Sequence, residues 1–486
     1  FAADINHIVY HGTAYSPPDA PWPGWLFYAS TEFNPRNPFW DDFAALNAYV
    51  ARVQSVLQSS QPDNDVLLYW PFADAIDDSQ GLMKQFAVHN VSWLVDSPMG
   101  KAAKLLTARG YGFDYISDAQ LMLAKVQDGA LVVPGGNYRT VIIPATRRMP
   151  VETLEQLLKL KRAGAAVIFE ALPEDVPGYG RLVERRTALK ALLAAPELAN
   201  AAESDLAAAL EKRNVRREPV AETGLSFTRR RSIIGHDYFF ANLTAKPFDG
   251  WVTLGVEIQN ARLIDPLTGG VGAPALRGGR EFYLQLAAGE SAILRTENMS
   301  LPLGRWTYTK PVSPGVPLAG EWTITFLKGG PELPPALKIT ELKSWTELGG
   351  DEAKRFAGTA RYRLEFDLPA QKADDWLLDL GDVRESARVR VNGVDVITAW
   401  SIPFRVHVGA QLKPGRNVLD LDVTNLAANR IRDMDQRGVQ WKIMREINFV
   451  NINYKPFDAS QWNLTPSGLL GPIVLVPLHR FDPSAP

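Results

Sequence analysis

Near Gly224 the hydrophobic period of the sequence changes, and this change limits the folds open to the chain. Before it, short continuous apolar runs alternate with longer segments whose apolar residues recur at three- and four-residue steps. Asp65-Val66-Leu67-Leu68-Tyr69-Trp70-Pro71, Phe113–Ser117, Thr140–Pro144 and Ala165–Phe169 are runs of the first kind; Asp41–Leu57, Lys101–Arg109 and Val151–Ala163 are of the second. Continuous apolar strands separated by helices imply parallel pairing with right-handed crossovers. After Gly224, short strands follow one another across Gly and Pro turns, which is the pattern of antiparallel sandwiches. One sheet cannot serve both patterns. The sequence therefore predicts a multidomain chain, α/β first and all-β afterwards.

Finer expectations follow. Ile5-Asn6-His7-Ile8-Val9-Tyr10 predicts a buried strand ending at His11-Gly12-Thr13. With the helix over 41–57 and the strand over 65–71 it makes one strand–helix–strand unit. A (β/α)8 barrel needs eight strands, so such a unit is the end of a barrel whose earlier strands precede Phe1. Residues 97–175 predict a small doubly wound, flavodoxin-like domain, with Ala130–Val133 among its strands and a helical tail over 184–213. No G-x-G-x-x-G follows its first strand, so it is expected to be structural, without a nucleotide. Arg229–Phe240 predicts a hairpin turning at Gly235-His236, the start of a small β-sandwich. From about Leu303, strands at short spacing predict a jelly-roll β-sandwich. The expected domains are 1–80 (last βα units of the barrel), 81–222 (flavodoxin-like), 223–300 (small sandwich) and 301–486 (jelly-roll).

Composition closes off several functions. Lys plus Arg number 52 and Asp plus Glu 54, giving a net charge of −2, so no basic excess points to nucleic acid. Arg229-Arg230-Arg231 alternate faces along a strand and are expected on a solvated edge. No apolar run reaches the ~20 residues of a membrane span. Cysteine is absent, which removes disulfides, thiolate metal sites and a thiol nucleophile. Residue 1 is Phe and no signal peptide is visible; a processed product, or a chain lacking its upstream part, is the expectation.

Few chemistries remain. There is no G-x-S-x-G and no H-E-x-x-H. Asp433-Met434-Asp435 resembles the start of a calcium loop but lacks the Gly and Glu spacing of an EF-hand. Asp114 and Asp118, at a strand end, read as turn and cap residues. The loop after the first strand is the exception, holding Trp22, Trp25, Phe27, Tyr28, Phe33, Phe39 and Trp40 with Asn34, Arg36 and Asn37. Flat aromatics beside amide and guanidinium groups suit a sugar ring. At the C-terminal face of a barrel, His11 and Trp70 would end their strands at one mouth. The alternative is a loop packed beneath a neighbouring domain. Glycoside hydrolysis usually takes two carboxyl groups. Glu32 with Asp74 is geometrically possible, though nothing in the spacing favours it.

The motifs Gly12-Thr13-Ala14-Tyr15-Ser16-Pro17, Trp22-Pro23-Gly24-Trp25, Phe33-Asn34-Pro35-Arg36-Asn37-Pro38-Phe39-Trp40 and Asp63–Pro71 resemble the α-L-rhamnosidases of glycoside hydrolase family 106. So do Gly112–Asp118 and the stretch from Asn425 through Asn429-Arg430-Ile431-Arg432-Asp433 to Trp441. The resemblance implies the domain order above, an exported bacterial (periplasmic or secreted) enzyme and hydrolysis of terminal α-L-rhamnose with inversion. It also implies a calcium ion near the sugar. The catalytic carboxylates would lie upstream of Phe1, on a barrel segment of the same protein. Onto these residues it carries only the sugar pocket: His11, Trp25, Asn34, Trp40 and Trp70. Glu32 and Asp74 stay as weak catalytic candidates. Asn429, Arg430, Asp433, Arg437 and Trp441 form a polar cluster that either binds sugar or pins a long loop. The expected partner is a rhamnose-containing glycoside, without nucleic acid and without a membrane span. Two rivals stand beside this reading: a non-catalytic carbohydrate-binding scaffold, and a β-galactosidase-like hydrolase.

Overall fold

A computed structural model describes residues 1–77, 86–87, 90–299, 302–443 and 449–485. The expected domain boundaries at 80/81 and 300/301 lie outside the described residues.

In chain order, α1 (Phe43–Leu57) precedes β1 (Val66–Tyr69), α2 (Pro98–Arg109), β2 (Phe113–Ile116), β3 (Thr140–Ile143), α3 (Val151–Arg162) and β4 (Ala166–Phe169). The four strands form one parallel sheet ordered β2-β1-β3-β4. All four residues of β1 are buried. Leu67 and Tyr69 pack on the α3 side, while Val66 and Leu68 face α2 and α4 (Leu206–Lys212). Burial on both faces explains why this run is continuously apolar rather than alternating. Truncating Leu68 to Ala would cost about 2–5 kcal/mol. α2 starts where Pro98 follows Ser97, whose hydroxyl accepts from Gly100 N–H at 3.0 Å, and it stops at Gly110, left-handed at φ 78°.

Four expectations fail here. The strand over 65–71, assigned to residues 1–80, lies inside the sheet made by residues 113–169. Residues 5–11 form no ladder among the described residues, and Ile5 and Val9 are exposed. Side chains at and just past the end of α1 serve that segment instead: Gln58 donates to the Asn6 carbonyl at 2.8 Å, and Gln54 accepts from Ile8 N–H. Ala130–Val133 joins an antiparallel meander with Lys125–Gln127 and Gly136–Tyr138, outside the parallel sheet. In addition, the single helical tail splits into Leu182–Leu193 and α4.

Beyond Gly224 come β5 (Ser226–Arg231), β6 (His236–Ala241), β7 (Phe248–Thr253), β8 (Asn260–Ile264), β9 (Glu281–Leu286) and β10 (Ser291–Glu297). One sheet runs β5-β6-β10-β8, a second pairs β7 with β9, and both enclose Tyr238, Phe240, Val252, Phe282 and Leu294. The outer face of the first sheet is not free. Phe239, Ala241 and Ile293 pack on Val53, Val56 and Leu57 of α1, so α1 belongs with this sandwich.

The second sandwich has a six-stranded sheet that includes β11 (Trp322–Gly330), β12 (Ala357–Asp367), β13 (Ser386–Val391), β14 (Val394–Ala399) and β15 (Arg416–Thr424), ordered β11-β12-β15-β13-β14. It packs on a sheet built around Val474–Phe481, over a core of Trp322, Trp345, Tyr362, Trp376 and Leu421. Asp42, at the N-terminus of α1, makes no side-chain cap bond; it accepts from Ser386 Oγ at 2.6 Å and lies 3.1 Å from Arg388 Nε. That pins the start of α1 to the second sandwich. α5 (Ala428–Gln436) follows β15.

The Arg229–Arg231 run is not a solvated edge. Arg229 and Arg230 are buried, and only Arg231 is exposed. Arg229 meets Asp63, Asp65 and Glu218. Arg230 meets Asp4 at 2.6 Å and donates to the Ser60 carbonyl at 2.9 Å. Both stitch the sandwich to the segments before β1.

Candidate functional site

The loop from His11 to Trp40 is organised around Glu32. Its backbone is left-handed at φ 58°, a conformation that is costly for a residue with a side chain and persists only where contacts fix it. One carboxylate oxygen accepts from Phe27 N–H and the other from Thr13 Oγ, both at 3.0 Å. Asn34 donates from its amide to Thr13 Oγ at 2.8 Å and accepts from Arg36 N–H at 2.9 Å. Thr13 therefore joins Glu32 and Asn34 in one network. His11 is exposed and lies parallel to Phe27, centroids 6.0 Å apart. Trp25 is half-buried, its N–H held by Ser16 Oγ at 2.9 Å. Trp40 is partly exposed and stacks on Phe43 of α1 at 6.1 Å.

A neighbouring element closes one side. The polar cluster 429–437 is a helix, α5, rather than a loop. Ile431 and Met434 of α5, with Trp441 and Ala459, pack against Trp22 and Leu26. The Arg430 guanidinium sits 3.8 Å from the centroid of the Trp22 ring, and Tyr454 contacts Tyr28 at 6.1 Å. Trp22 is thus part of a packed seam, while His11, Trp25 and Trp40 keep open faces.

The structure does not bring every expected residue here. Trp70 directly follows β1 and packs on Phe72 and Trp93, against a core of the parallel sheet. Its strand pairs with β2 and β3 and not with residues 5–11, so His11 and Trp70 share no sheet edge. Asp74 accepts from the backbone N–H groups of Arg147 and Arg148 at 2.6 and 2.8 Å. Every side-chain bond of Glu32 stays within residues 13–27, so the two carboxylates serve different elements. Asp114 accepts from Asn64 and Tyr138, and Asp118 from Tyr69 and Thr153. Burial, reinforced by these carboxylates, pushes the Tyr69 and Tyr138 hydroxyls well up. The cap expected of Asp118 is supplied by Ser117 in a capping box with Gln120.

Asp433 and Asp435 are engaged within the protein. Asp433 pairs with Arg437 at 2.6 Å, and Asp435 accepts from Trp441 Nε1 and Ala459 N–H at 2.7 and 2.8 Å and pairs with Lys442. This is the pinning role weighed for the cluster. Among the described residues no three His, Asp or Glu side chains converge as metal ligands.

Sequence reasoning had Thr13 and Phe27 in the loop but gave them no role, and it missed Tyr454, which reaches Tyr28 from the far end of the chain. It also missed a cavity of about 780 Å³ at the leading ends of the parallel strands, lined by Asp63, Asp65, Arg139, Arg216 and His236 among others. Its carboxylates Asp63 and Asp65 are already paired with Arg216 and Arg229. The cavity is a charged seam between the parallel sheet and the first sandwich.

The family profile described as alpha-L-rhamnosidase (glycoside hydrolase family 106) matches residues 1–274, more than half of the chain. The chain belongs to glycoside hydrolase family 106. The fold agrees: the solved rhamnosidase of Novosphingobium sp. PP1Y superposes with a TM-score of 0.74 at 24% identity, over 98% of this chain and 45% of that one. A Formosa agariphila protein named "Putative beta-glucuronidase" is 33% identical over 187 residues, 34% of this chain and 16% of its own length. The family 106 chain thus spans less than half the length of either. The Glu32–Thr13–Asn34 network lies within the residues matched by the family.

Proposed function

We propose that the complete protein carrying these residues removes terminal α-L-rhamnose from rhamnosylated glycosides, with inversion at the anomeric carbon. The observation that carries this is the family match over residues 1–274, which contains the whole His11–Trp40 loop. In this reading the methyl-bearing face of rhamnose rests on Trp25 and Trp40, and His11 hydrogen-bonds a hydroxyl from its exposed ring. Glu32 and Asn34 hold the loop through Thr13, so they position the pocket. Because Glu32 is committed to Phe27 N–H and Thr13, it is a poor base for a water. Asp74 is committed to a turn elsewhere. The acid and base are assigned to carboxylates outside these residues. One activates a water on the far face of the sugar while the other protonates the leaving oxygen.

The finer architecture belongs to the same reading. Residues 1–57 would pack against a barrel segment supplied by the rest of the protein, and the C-terminal sandwich would be the jelly-roll. Calcium does not fit the residues described here, since Asp433 and Asp435 are taken, and no step is routed through it. Export to the periplasm or beyond is part of the proposal.

The test is hydrolysis of an aryl α-L-rhamnoside by the complete protein, with the first-formed anomer read by NMR. Release of β-rhamnose is expected. Absence of hydrolysis overturns the reading, and release of α-rhamnose overturns inversion. His11→Ala should lower kcat/KM by about tenfold or more, the scale of one lost substrate hydrogen bond.

A further inference from the structure

We propose that the cavity between the parallel sheet and the first sandwich is a second, non-catalytic site that holds a neutral oligosaccharide. The site stands on its own lining; only the choice of a rhamnose chain as its sugar rests on the rhamnosidase reading. The cavity measures about 780 Å³. That is within the roughly 300–1,000 Å³ of small-molecule sites, which recur between folding units as this one does. One wall is the α/β half, from the residues before β1 to the meander strand Gly136–Tyr138. The other is the β5–β6 hairpin, through Arg231 and His236.

The floor is fixed and its charges are matched. Asp63 and Asp65 each meet both Arg216 and Arg229, at 2.8–3.0 Å. The walls keep free groups. The Arg231 guanidinium and the Asn137 amide are exposed and have no hydrogen-bond or ion-pair partner among the described residues. Asp114 accepts from Asn64 and Tyr138 through Oδ2 alone, at 3.0 and 2.8 Å, which leaves Oδ1 over. His236 Nε2 lies 3.4 Å from Asp63. Burial lowers this imidazole below its ordinary value, so it is neutral at pH 7 and offers one donor and one acceptor. Gly135 and Gly164 stand on the rim at φ 107° and 97°, and a Cβ on either would meet no atom within 4 Å. The mouth is bordered there by bare backbone that a ligand can approach closely.

These features select the ligand. Four arginines and four aspartates line the cavity, so neither sign of charge prevails. α3 ends at Arg162, two residues before Gly164, and brings the negative end of its dipole to this rim, which disfavours an anion further. Tyr138, the one tyrosine in the lining, is buried with its hydroxyl tied to Asp114, so no flat ring face is open to a nucleobase or an aryl group. Donors and acceptors side by side in fixed positions remain. A hydroxyl is both at once, and the ligand rich in hydroxyls and free of charge is a neutral sugar chain.

The experiment uses the complete protein and an S-linked α-L-rhamnotriose, whose sulfur bridges resist hydrolysis. Amide hydrogen exchange is followed with and without it, beside hydrolysis of an aryl α-L-rhamnoside. At about ten times its Kd the trisaccharide should slow exchange about tenfold at residues 135–139 and 231–236. Asn137 sits on a strand with its side chain exposed, so Asn137→Trp fills the cavity without touching a core. It should abolish that protection and leave hydrolysis within about threefold of wild type. Arg231→Ala should weaken binding about tenfold, the scale of one charge-assisted hydrogen bond. Unchanged exchange at both segments in the wild type overturns the proposal, and this readout needs no variant to fold. Protection that survives in a folded Asn137→Trp also overturns it. So does protection by sodium phosphate but not by the trisaccharide, which would make the cavity an anion site. If the segments are protected but no aryl rhamnoside is cleaved, the rhamnosidase reading falls and the second site stands. Cleavage without protection does the reverse, and neither result sinks both.

Discussion

Replacing Arg229 by Met should destabilise the protein more than loss of any surface ion pair. Its side chain is 4% exposed, with Nε 2.8 Å from Asp63, Nη2 2.9 Å from Asp65 and Nη1 2.6 Å from Glu218. Burial alone would lower the guanidinium; the Glu218 and Asp63 charges outweigh it and leave the group held above its ordinary value. Removing one partner of a buried pair costs about 3–5 kcal/mol, because the other charge is stranded. Here Asp63 and Asp65 keep Arg216, each at 3.0 Å. Glu218 keeps the Tyr238 hydroxyl at 2.9 Å and Gly255 N–H at 2.7 Å, but no cation. One stranded carboxylate of three places the expected loss near the lower end, about 3 kcal/mol. Urea unfolding at pH 7 would measure it, with Glu218→Gln and the double variant completing a cycle. The double variant should recover part of the loss, since it leaves no unpaired carboxylate. A carboxyl without its cation binds a proton more tightly folded than unfolded, so its stabilising contribution grows as pH falls. The penalty of Arg229→Met should therefore shrink from pH 7 toward pH 5. A loss below about 1 kcal/mol, or a penalty that grows on acidification, would refute the reasoning.

Further outcomes are expected elsewhere. Glu32→Gln keeps an acceptor for Phe27 N–H and should reduce kcat/KM by no more than about tenfold, whereas a loss of about a thousandfold would make Glu32 a direct participant. Asp74→Ala frees the two N–H groups at 147 and 148; hydrogen exchange there should accelerate, at a local cost of about 1–3 kcal/mol, with kcat unchanged. Tyr283 and Tyr308 are each pushed up to about 12, first by burial, with Asp249 adding to Tyr283. Unfolding releases both protons near pH 10, so this stabilisation is present below pH 10 and lost as pH rises to 12. Tyr283→Phe should flatten the fall of stability in that window, followed by denaturant midpoint; an unchanged slope would exclude Tyr283 as a source.

Much of the α/β half was legible because burial leaves a local mark. β1 is buried on both faces and reads as an unbroken apolar run, and α3 shows one apolar stripe ended by basic residues and Gly164. The loop of aromatics was visible by composition, and its motifs pointed to the family. Which aromatics stay open was not legible. Trp22 and Trp25 stand three residues apart in one motif, yet one lies under Arg430 and the other keeps a half-open face. The apolar segment 5–11 misled for a related reason: period identifies extended chain, but a strand exists only where another strand supplies its hydrogen bonds.

By itself the sequence determined the change from α/β to all-β at Gly224, the helices α1, α2 and α3, the strands of the parallel sheet, and the family. Tertiary structure decided the partners. It placed Leu67 between Asp114 and Val141 rather than beside residues 5–11. It joined Asp42 to Ser386, and it buried Arg229 against Asp63, 166 residues away in sequence, while leaving Arg231 in solvent. Hydrophobic periodicity is a property of one segment and survives in its own letters. A hydrogen bond or an ion pair belongs to two segments at once, and only the folded chain says which two meet.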